Sequence, residues 1–168
     1  YIIHRFDRRT PVAETMQALH DVVRAGKARY IGASSMHAYQ FAGMQFTAEK
    51  NGWTKFISMQ NLYNLAWREE EREMNAFCHE TGVGLTPWAP LAGGFLASDW
   101  RVTNNQHSER ARSGTSYSTK AYGTAQDYQV LDVLIAVAQR LGVPMAQVAL
   151  AWLLTRPAVS APILGTTR

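Results

Sequence analysis

Gly26-Lys27-Ala28-Arg29-Tyr30-Ile31-Gly32-Ala33-Ser34-Ser35 is the stretch whose reading decides the fold. It follows an amphipathic run in which Val12, Met16, Leu19 and Val23 fall at helical spacing. Thr10-Pro11 supplies that helix with an N-cap and a proline at the first helical position. Gly26 stops it, because glycine adopts the left-handed conformation that closes a last helical turn. Ala28 to Ile31 then reads as a strand, ending in the small polar group Gly32-Ala33-Ser34-Ser35.

This order of helix, glycine stop, strand and polar turn recurs on both sides. Upstream, Tyr1 to Phe6 reads as a strand. Downstream, Ser35 can cap a helix with Phe41, Met44 and Ala48 on one face, ending at Asn51-Gly52. Lys55 to Met59 is the third strand and ends in Gln60-Asn61. Arg68 to Thr81 reads as a helix with Met74, Phe77 and Cys78 inward, stopped by Gly82. Val83 to Trp88 is the fourth strand and passes into Ala89-Pro90-Leu91-Ala92-Gly93-Gly94. A long loop runs from Ser98 to about Ala125, a length that is usually functional or disordered. Gln126 to Leu141 returns to helical spacing through Leu131, Leu134, Ile135 and Ala138, and Gly142 ends it. Pro144 opens a helix carrying Val148, Ala151, Trp152 and Leu154, and Val159 to Leu164 is the last strand.

Five strands separated by helices require parallel neighbours joined by right-handed crossovers. The fold class is therefore α/β, either an open doubly wound sheet or part of an eight-stranded barrel. A complete barrel takes about 250 residues, and five units in 168 residues is the density of part of one. Polar residues gather beyond strand ends at Ser34-Ser35, Gln60-Asn61, Trp88 to Gly94 and Gly165 to Arg168, as barrel active sites do.

Composition narrows the function classes. Hydrophobic residues make up 46%, too many for a disordered chain. The net charge of +4 is scattered, with no basic stripe interleaved with aromatics, so nucleic acid is not the expected partner. No apolar run reaches about 18 residues, so no spanning helix and no membrane partner are expected. The opening Tyr1-Ile2-Ile3-His4-Arg5 has neither an initiator methionine nor a signal-peptide layout, and reads as the interior of a longer protein. Cys78 is the only cysteine, which excludes an intrachain disulfide and fits a buried thiol in a reducing cytoplasm.

The candidate functional residues each have a plainer reading beside the chemical one. His4 can donate to or polarise a carbonyl, or be a core histidine satisfied by backbone. Ser34, Ser35, Gln60 and Asn61 can hold a ligand amide, or serve as caps and turn residues. Trp88 can support a flat heterocycle or simply pack. Pro90 to Gly94 can bring backbone amides to a pyrophosphate or form an ordinary turn. Arg112 and Arg168 can pair with phosphate oxygens or remain solvated. Tyr63 and Trp67 can line a substrate site or pack against helices. Gly-x-Gly-x-x-Gly is absent, and His20, His37, His79 and His107 show no metal-ligand spacing, so no metal is expected.

The order of these motifs resembles the C-terminal portion of the aldo-keto reductases. The branch is that of the fungal aryl-alcohol dehydrogenases and polyketide-pathway reductases such as norsolorinic acid reductase. The matching segments are Ile3-His4-Arg5-Phe6-Asp7, Glu14 to Val23, Gly26 to Ser35, Ser58-Met59-Gln60-Asn61-Leu62-Tyr63-Asn64, Arg68 to Met74 and Gly82 to Leu91. The likeness is looser from Ala97 to Gly123. It implies that residues 1–168 supply strands four to eight of a single (β/α)8 barrel domain, with an N-terminal part and a C-terminal tail outside the sequence. It also implies hydride transfer from NADPH to an aldehyde or ketone, with a tyrosine, aided by a lysine, an aspartate and a histidine, protonating the alkoxide.

By motif, His4 is that histidine, and Ser34 and Gln60 hold the nicotinamide carboxamide. Ser35 stands where many members have asparagine. Trp88 stacks on the nicotinamide, and Ala89, Leu91 and Gly93 form the turn around the pyrophosphate. Arg112 belongs to the loop that folds over the cofactor, and Gly165, Thr167 and Arg168 begin the adenosine-phosphate site. Tyr1, Tyr30, Tyr39, Tyr63, Tyr117, Tyr122 and Tyr128 lack the context of the catalytic tyrosine, so a complementing N-terminal half is expected to carry it. The small-molecule substrate implied is an aryl or polyketide-type carbonyl. Two alternatives remain open: a cofactor-binding regulatory module like the potassium-channel β subunits, or an inactive truncated product.

Overall fold

The computed structural model describes residues 1–103 and 122–165, which form two compact units. The first unit, residues 1–61, 70–87 and 157–161, is built on a four-stranded parallel sheet. Its strands are β1 (Ile2–Ile3), β2 (Ile31–Ser34), β3 (Phe56–Gln60) and β4 (Gly84–Leu85), ordered β1-β2-β3-β4. Helices α1 (Val12–Arg24), α2 (Ala38–Lys50) and α3 (Met74–Thr81) make the crossovers. A doubly wound sheet reverses its strand order at a switch point. Among the described residues this sheet does not.

Register sorts the side chains onto two faces, because successive residues of a strand point to opposite sides. Ile3, Ala33, Met59 and Leu85 lie in one row across the sheet. They pack with Met16, Leu19, Phe41, Met44, Ala48, Met74 and Cys78 in the helix-covered core. Phe41 stacks on Phe56 at 5.7 Å and meets Phe77 edge-on at 5.9 Å. At Phe56, beside a shift in register between β2 and β3, the side chain of Gln45 substitutes for a neighbouring strand. Its Nε2 donates to the Phe56 carbonyl and its Oε1 accepts from the Phe56 amide, both at 2.9 Å.

The opposite face carries the row Ile2, Gly32, Ser58 and Gly84. A Cβ at Gly32 would run into Ser58 Oγ and come within 3.1 Å of the Ser58 carbonyl. Gly32→Ala should therefore cost about 1–3 kcal/mol through overpacking. Thermal unfolding would show this as a drop of several degrees, and an unchanged Tm would contradict the packing.

Three expected strands are shorter in the structure. Tyr1 to Phe6 shrinks to Ile2–Ile3, since β1 has one neighbour and the Arg5 guanidinium takes the His4 carbonyl at 2.8 Å. Val83 to Trp88 shrinks to Gly84–Leu85; the Thr86 amide still donates to Met59 O, but Pro87 has no N–H to continue the ladder. Val159 to Leu164 reduces to one parallel bridge between Val159 and Leu85, with Pro162 lacking a donor. The second strand, expected over Ala28 to Ile31, falls at Ile31–Ser34.

Helix ends also depart from expectation. Gly26, at φ 70°, closes α1 as its sequence position predicts, with its amide and that of Lys27 donating to Val23 O and Val22 O. Thr10 is not the cap of α1. Its hydroxyl donates to Asp7 Oδ2 at 2.8 Å, and the Arg9 amide with this hydroxyl holds the Asp7 carboxyl below its usual range. Ser35 does not cap α2 either; Gln40 Oε1 accepts from the His37 amide at 3.0 Å there. The expected helix Arg68 to Thr81 is broken into a 3-10 turn, Glu69–Glu71, and α3. Glu69 and Glu73, like charges four residues apart, oppose a continuous helix.

Cys78 is fully buried in the core, and burial, reinforced by the charge of Glu70, pushes its thiol up to about 12. A raised folded-state value favours the neutral thiol. Its contribution to stability is complete below the unfolded value of 9.0 and is lost as pH rises from there toward 12. Native protein at pH 8 should resist alkylation by iodoacetamide until denatured, and rapid native labelling would contradict this burial.

The second unit comprises residues 62–69, 88–103, 122–156 and 162–165 among those described. It holds α4 (Trp100–Thr103), α5 (Ala125–Leu141) and α6 (Met145–Leu154). Part of the expected loop is thus helical, with Asp99 Oδ1 accepting from the Arg101 amide at 3.0 Å. Thr124 and Asp127 cap α5 reciprocally. Phe95 centres this core, edge-on to Trp100 at 5.1 Å and stacked on Tyr122 at 5.8 Å. On α6 the buried residues are Ala149 and Leu153, whereas Ala151 and Leu154 of the expected face are exposed. Among the described residues no single helix is long and apolar enough to cross a membrane.

Candidate functional site

The polar residues at the strand ends of the first unit gather at one end of the sheet because its four strands are parallel. Ser34 pairs in register with Gln60. Both continue the face of the Ile2–Gly32–Ser58–Gly84 row, while His4 follows directly after β1 and Thr86 directly after β4, its amide still donating to Met59 O. Ser34 and Gln60 thus form the next row, at the C-terminal ends of β2 and β3, with His4 and Thr86 just past the same ends of β1 and β4. It lies opposite the helix-covered core.

The backbone of Gln60 organises this row. Its carbonyl accepts from Ser34 Oγ at 2.6 Å and from the Ser35 amide at 3.2 Å. Ser35 is held at φ 35°, an uncommon conformation for a residue with a side chain, immediately after the buried Ser34. The Gln60 side chain is half-buried, and its amide makes no hydrogen bond among the described residues. It therefore presents both a donor and an acceptor, while Ser34 Oγ keeps lone pairs for accepting. His4 is exposed, just past β1.

Asn61 departs from this group. It is fully buried with Nδ2 donating to Asn75 Oδ1 of α3 at 3.0 Å, so its amide turns toward the helix layer. Of the other histidines, His20 Nδ1 accepts from the Thr54 amide at 3.1 Å and His37 stacks on Tyr39.

In the second unit, Trp88 is half-buried and bridges Leu62 in parallel. The turn after it is unusual in conformation: Ala89, Ala92, Gly93 and Gly94 all have positive φ, at 51°, 52°, 65° and 105°. Local carbonyls accept from Ala92, Gly94, Phe95 and Leu96. Tyr63 is buried and packs on Trp152 with centroids 5.7 Å apart, while Trp67 is half-buried against the Phe95 core. Gly165 is exposed. Arg112, Thr167 and Arg168 lie outside the described residues.

Sequence reading assigned no role to Asn64, which is fully buried. Its Oδ1 accepts from the amides of Ala66 and Trp67, and its Nδ2 donates to Ala89 O and Tyr122 Oη. The local half of this pattern was legible: an asparagine two and three residues before bonded amides is an Asx turn. The long-range half was not.

A parallel sheet in sequential order, with its polar residues gathered at the strand ends, belongs to the α/β class that builds sites at that rim. The chain belongs to the Aldo/keto reductase family, whose model matches residues 1–168. Members of this family are (β/α)8 barrels. The chain is 53% identical to the aldo-keto reductase AMT2 of Alternaria alternata, covering 97% of this chain and 43% of that protein. It is 49% identical to the versiconal hemiacetal acetate reductase of Aspergillus parasiticus, over 97% of this chain and 47% of that one. An aryl-alcohol dehydrogenase-type protein of Schizosaccharomyces pombe is 47% identical over 99% of this chain and 46% of its own length. The chain spans less than half the length of these relatives.

Proposed function

We propose that this chain forms the cofactor side of an NADPH-dependent carbonyl reductase, supplying strands four to eight of a (β/α)8 barrel. The observation that carries this reading is the pair Ser34 and Gln60, in register at the strand ends of one sheet face, with His4 just past the end of the adjoining strand. A nicotinamide carboxamide has two donors and one acceptor. The Gln60 amide, which makes no hydrogen bond among the described residues, and the Ser34 hydroxyl are a matching set, so the residues present fit the group. When bound, NADPH would supply the hydride. Ser34 and Gln60 would fix the carboxamide, Ser35 would hold their backbone frame, and Trp88 would support the ring. Ala89, Leu91 and Gly93 would curve around the pyrophosphate; the turn's own backbone bonds use the amide of none of the three. Arg112, Gly165, Thr167 and Arg168 are assigned to the adenosine phosphates on the family motif alone.

His4 would donate a hydrogen bond to the substrate carbonyl oxygen, orienting it and stabilising the charge that develops there. Proton donation is assigned to a tyrosine, helped by lysine and aspartate, on polypeptide outside these 168 residues. His4 also favours a reductase over a regulatory module that only binds cofactor, because cofactor retention alone needs no carbonyl-orienting group. The relatives' names support an aryl or polyketide-type carbonyl substrate, with Tyr63 and Trp67 near it. The single buried thiol suits a reducing cytoplasm.

The complete protein carrying this chain should oxidise NADPH when given an aromatic aldehyde and yield the alcohol stoichiometrically. Absence of turnover across a panel of aryl aldehydes and ketones would refute the reading.

A further inference from the structure

We propose that Asn64 is a positioning residue that sets the cofactor turn after Trp88; this rests on the assignment of that turn to the pyrophosphate. Asn64 has two side-chain donor hydrogens and two acceptor lone pairs, and all four are used. The accepted bonds, from Ala66 at 3.0 Å and Trp67 at 2.9 Å, fix the local turn and aim the amide group. The donated bond to the Ala89 carbonyl, at 3.0 Å, then fixes the peptide plane between Ala89 and Pro90. Ala89 sits at φ 51°, where a residue with a Cβ needs support; its carbonyl accepts from the Ala92 amide at 2.9 Å within the turn, and Asn64 adds the bond from outside it. The second donated bond, 2.9 Å to Tyr122 Oη, ties the same amide to a ring stacked on Phe95. A saturated, fully buried amide of this kind has one permitted orientation, because rotating it breaks every bond at once. Trp88 and the amides of Leu91 and Gly93 flank the peptide it holds.

The clean variant is Asn64→Asp in the complete protein. Aspartate is nearly isosteric and keeps the acceptors for Ala66 and Trp67, but it cannot donate to Ala89 and places negative charge against that carbonyl. Affinity is measured for NADPH and for adenosine 2′,5′-bisphosphate, which lacks the pyrophosphate and nicotinamide. Asn64→Asp should weaken NADPH at least tenfold and change the bisphosphate less than twofold. Adding Ala89→Gly should restore part of the NADPH affinity, since glycine adopts a positive φ without support. This double variant also serves if Asn64→Asp alone does not fold. Unchanged NADPH affinity, or equal weakening of both ligands, would overturn the assignment. Wild-type protein that binds neither ligand would remove the cofactor reading itself, and the role of Asn64 with it.

Discussion

Purified alone, the 168-residue chain is expected to oxidise no NADPH above background with an aromatic aldehyde. Positioned proton transfer contributes about 10²–10⁴-fold to such reactions, and the groups assigned to it are not among these residues. The sheet adds a second reason. Its face bearing Ile2, Gly32, Ser58 and Gly84 is the one that α1, α2 and α3 leave uncovered, and Ile2 is 40% exposed. Parallel sheets are normally covered on both faces, so this one should need partner strands. Co-expression with an N-terminal half carrying the tyrosine and lysine should restore turnover by at least 10²-fold. Steady turnover by the chain alone would show that its own residues include a proton donor.

Replacing His4 should produce the largest loss among the strand-end residues. In the complete protein, His4→Ala should lower kcat for an aromatic aldehyde by about 10²–10³-fold, the range seen when one preorganised donor to a developing oxyanion is removed. NADPH affinity should stay within about threefold, because His4 is assigned to the substrate oxygen and not to the carboxamide. A loss confined to NADPH binding, with kcat unchanged, would move His4 into the cofactor site and weaken the distinction from a regulatory module.

Much of the architecture was legible because it depends on local rules. Gly26, Gly82 and Gly142 end helices at positive φ, as their places after amphipathic runs require. The Ser34–Gln60 pairing follows from two strands that each end in a short polar group. What local rules missed was set partly by partners distant in sequence. Thr10 reads as a cap, but its hydroxyl donates to Asp7, and Ser35 reads as a cap, but α2 begins at Ala38 with His37 in the capping position. Asn61, adjacent to Gln60, reads as a ligand-holding amide, yet the alternation of the strand turns it toward Asn75. The Asx turn of Asn64 is legible locally, but its bonds to Ala89 and Tyr122 are not, since these lie 25 and 58 residues away. The site motifs were recognisable through their order, which a single residue type does not carry.

The most direct measurement is an NADPH titration of the complete protein, its Gln60→Ala variant and its Asn61→Ala variant, followed by cofactor fluorescence. Saturable one-to-one binding is predicted, weakened by about tenfold in Gln60→Ala through loss of hydrogen bonds worth about 1 kcal/mol or more. Asn61→Ala should bind like the wild type. Equal affinity in the wild type and Gln60→Ala would mean that the row of strand-end residues does not hold the nicotinamide.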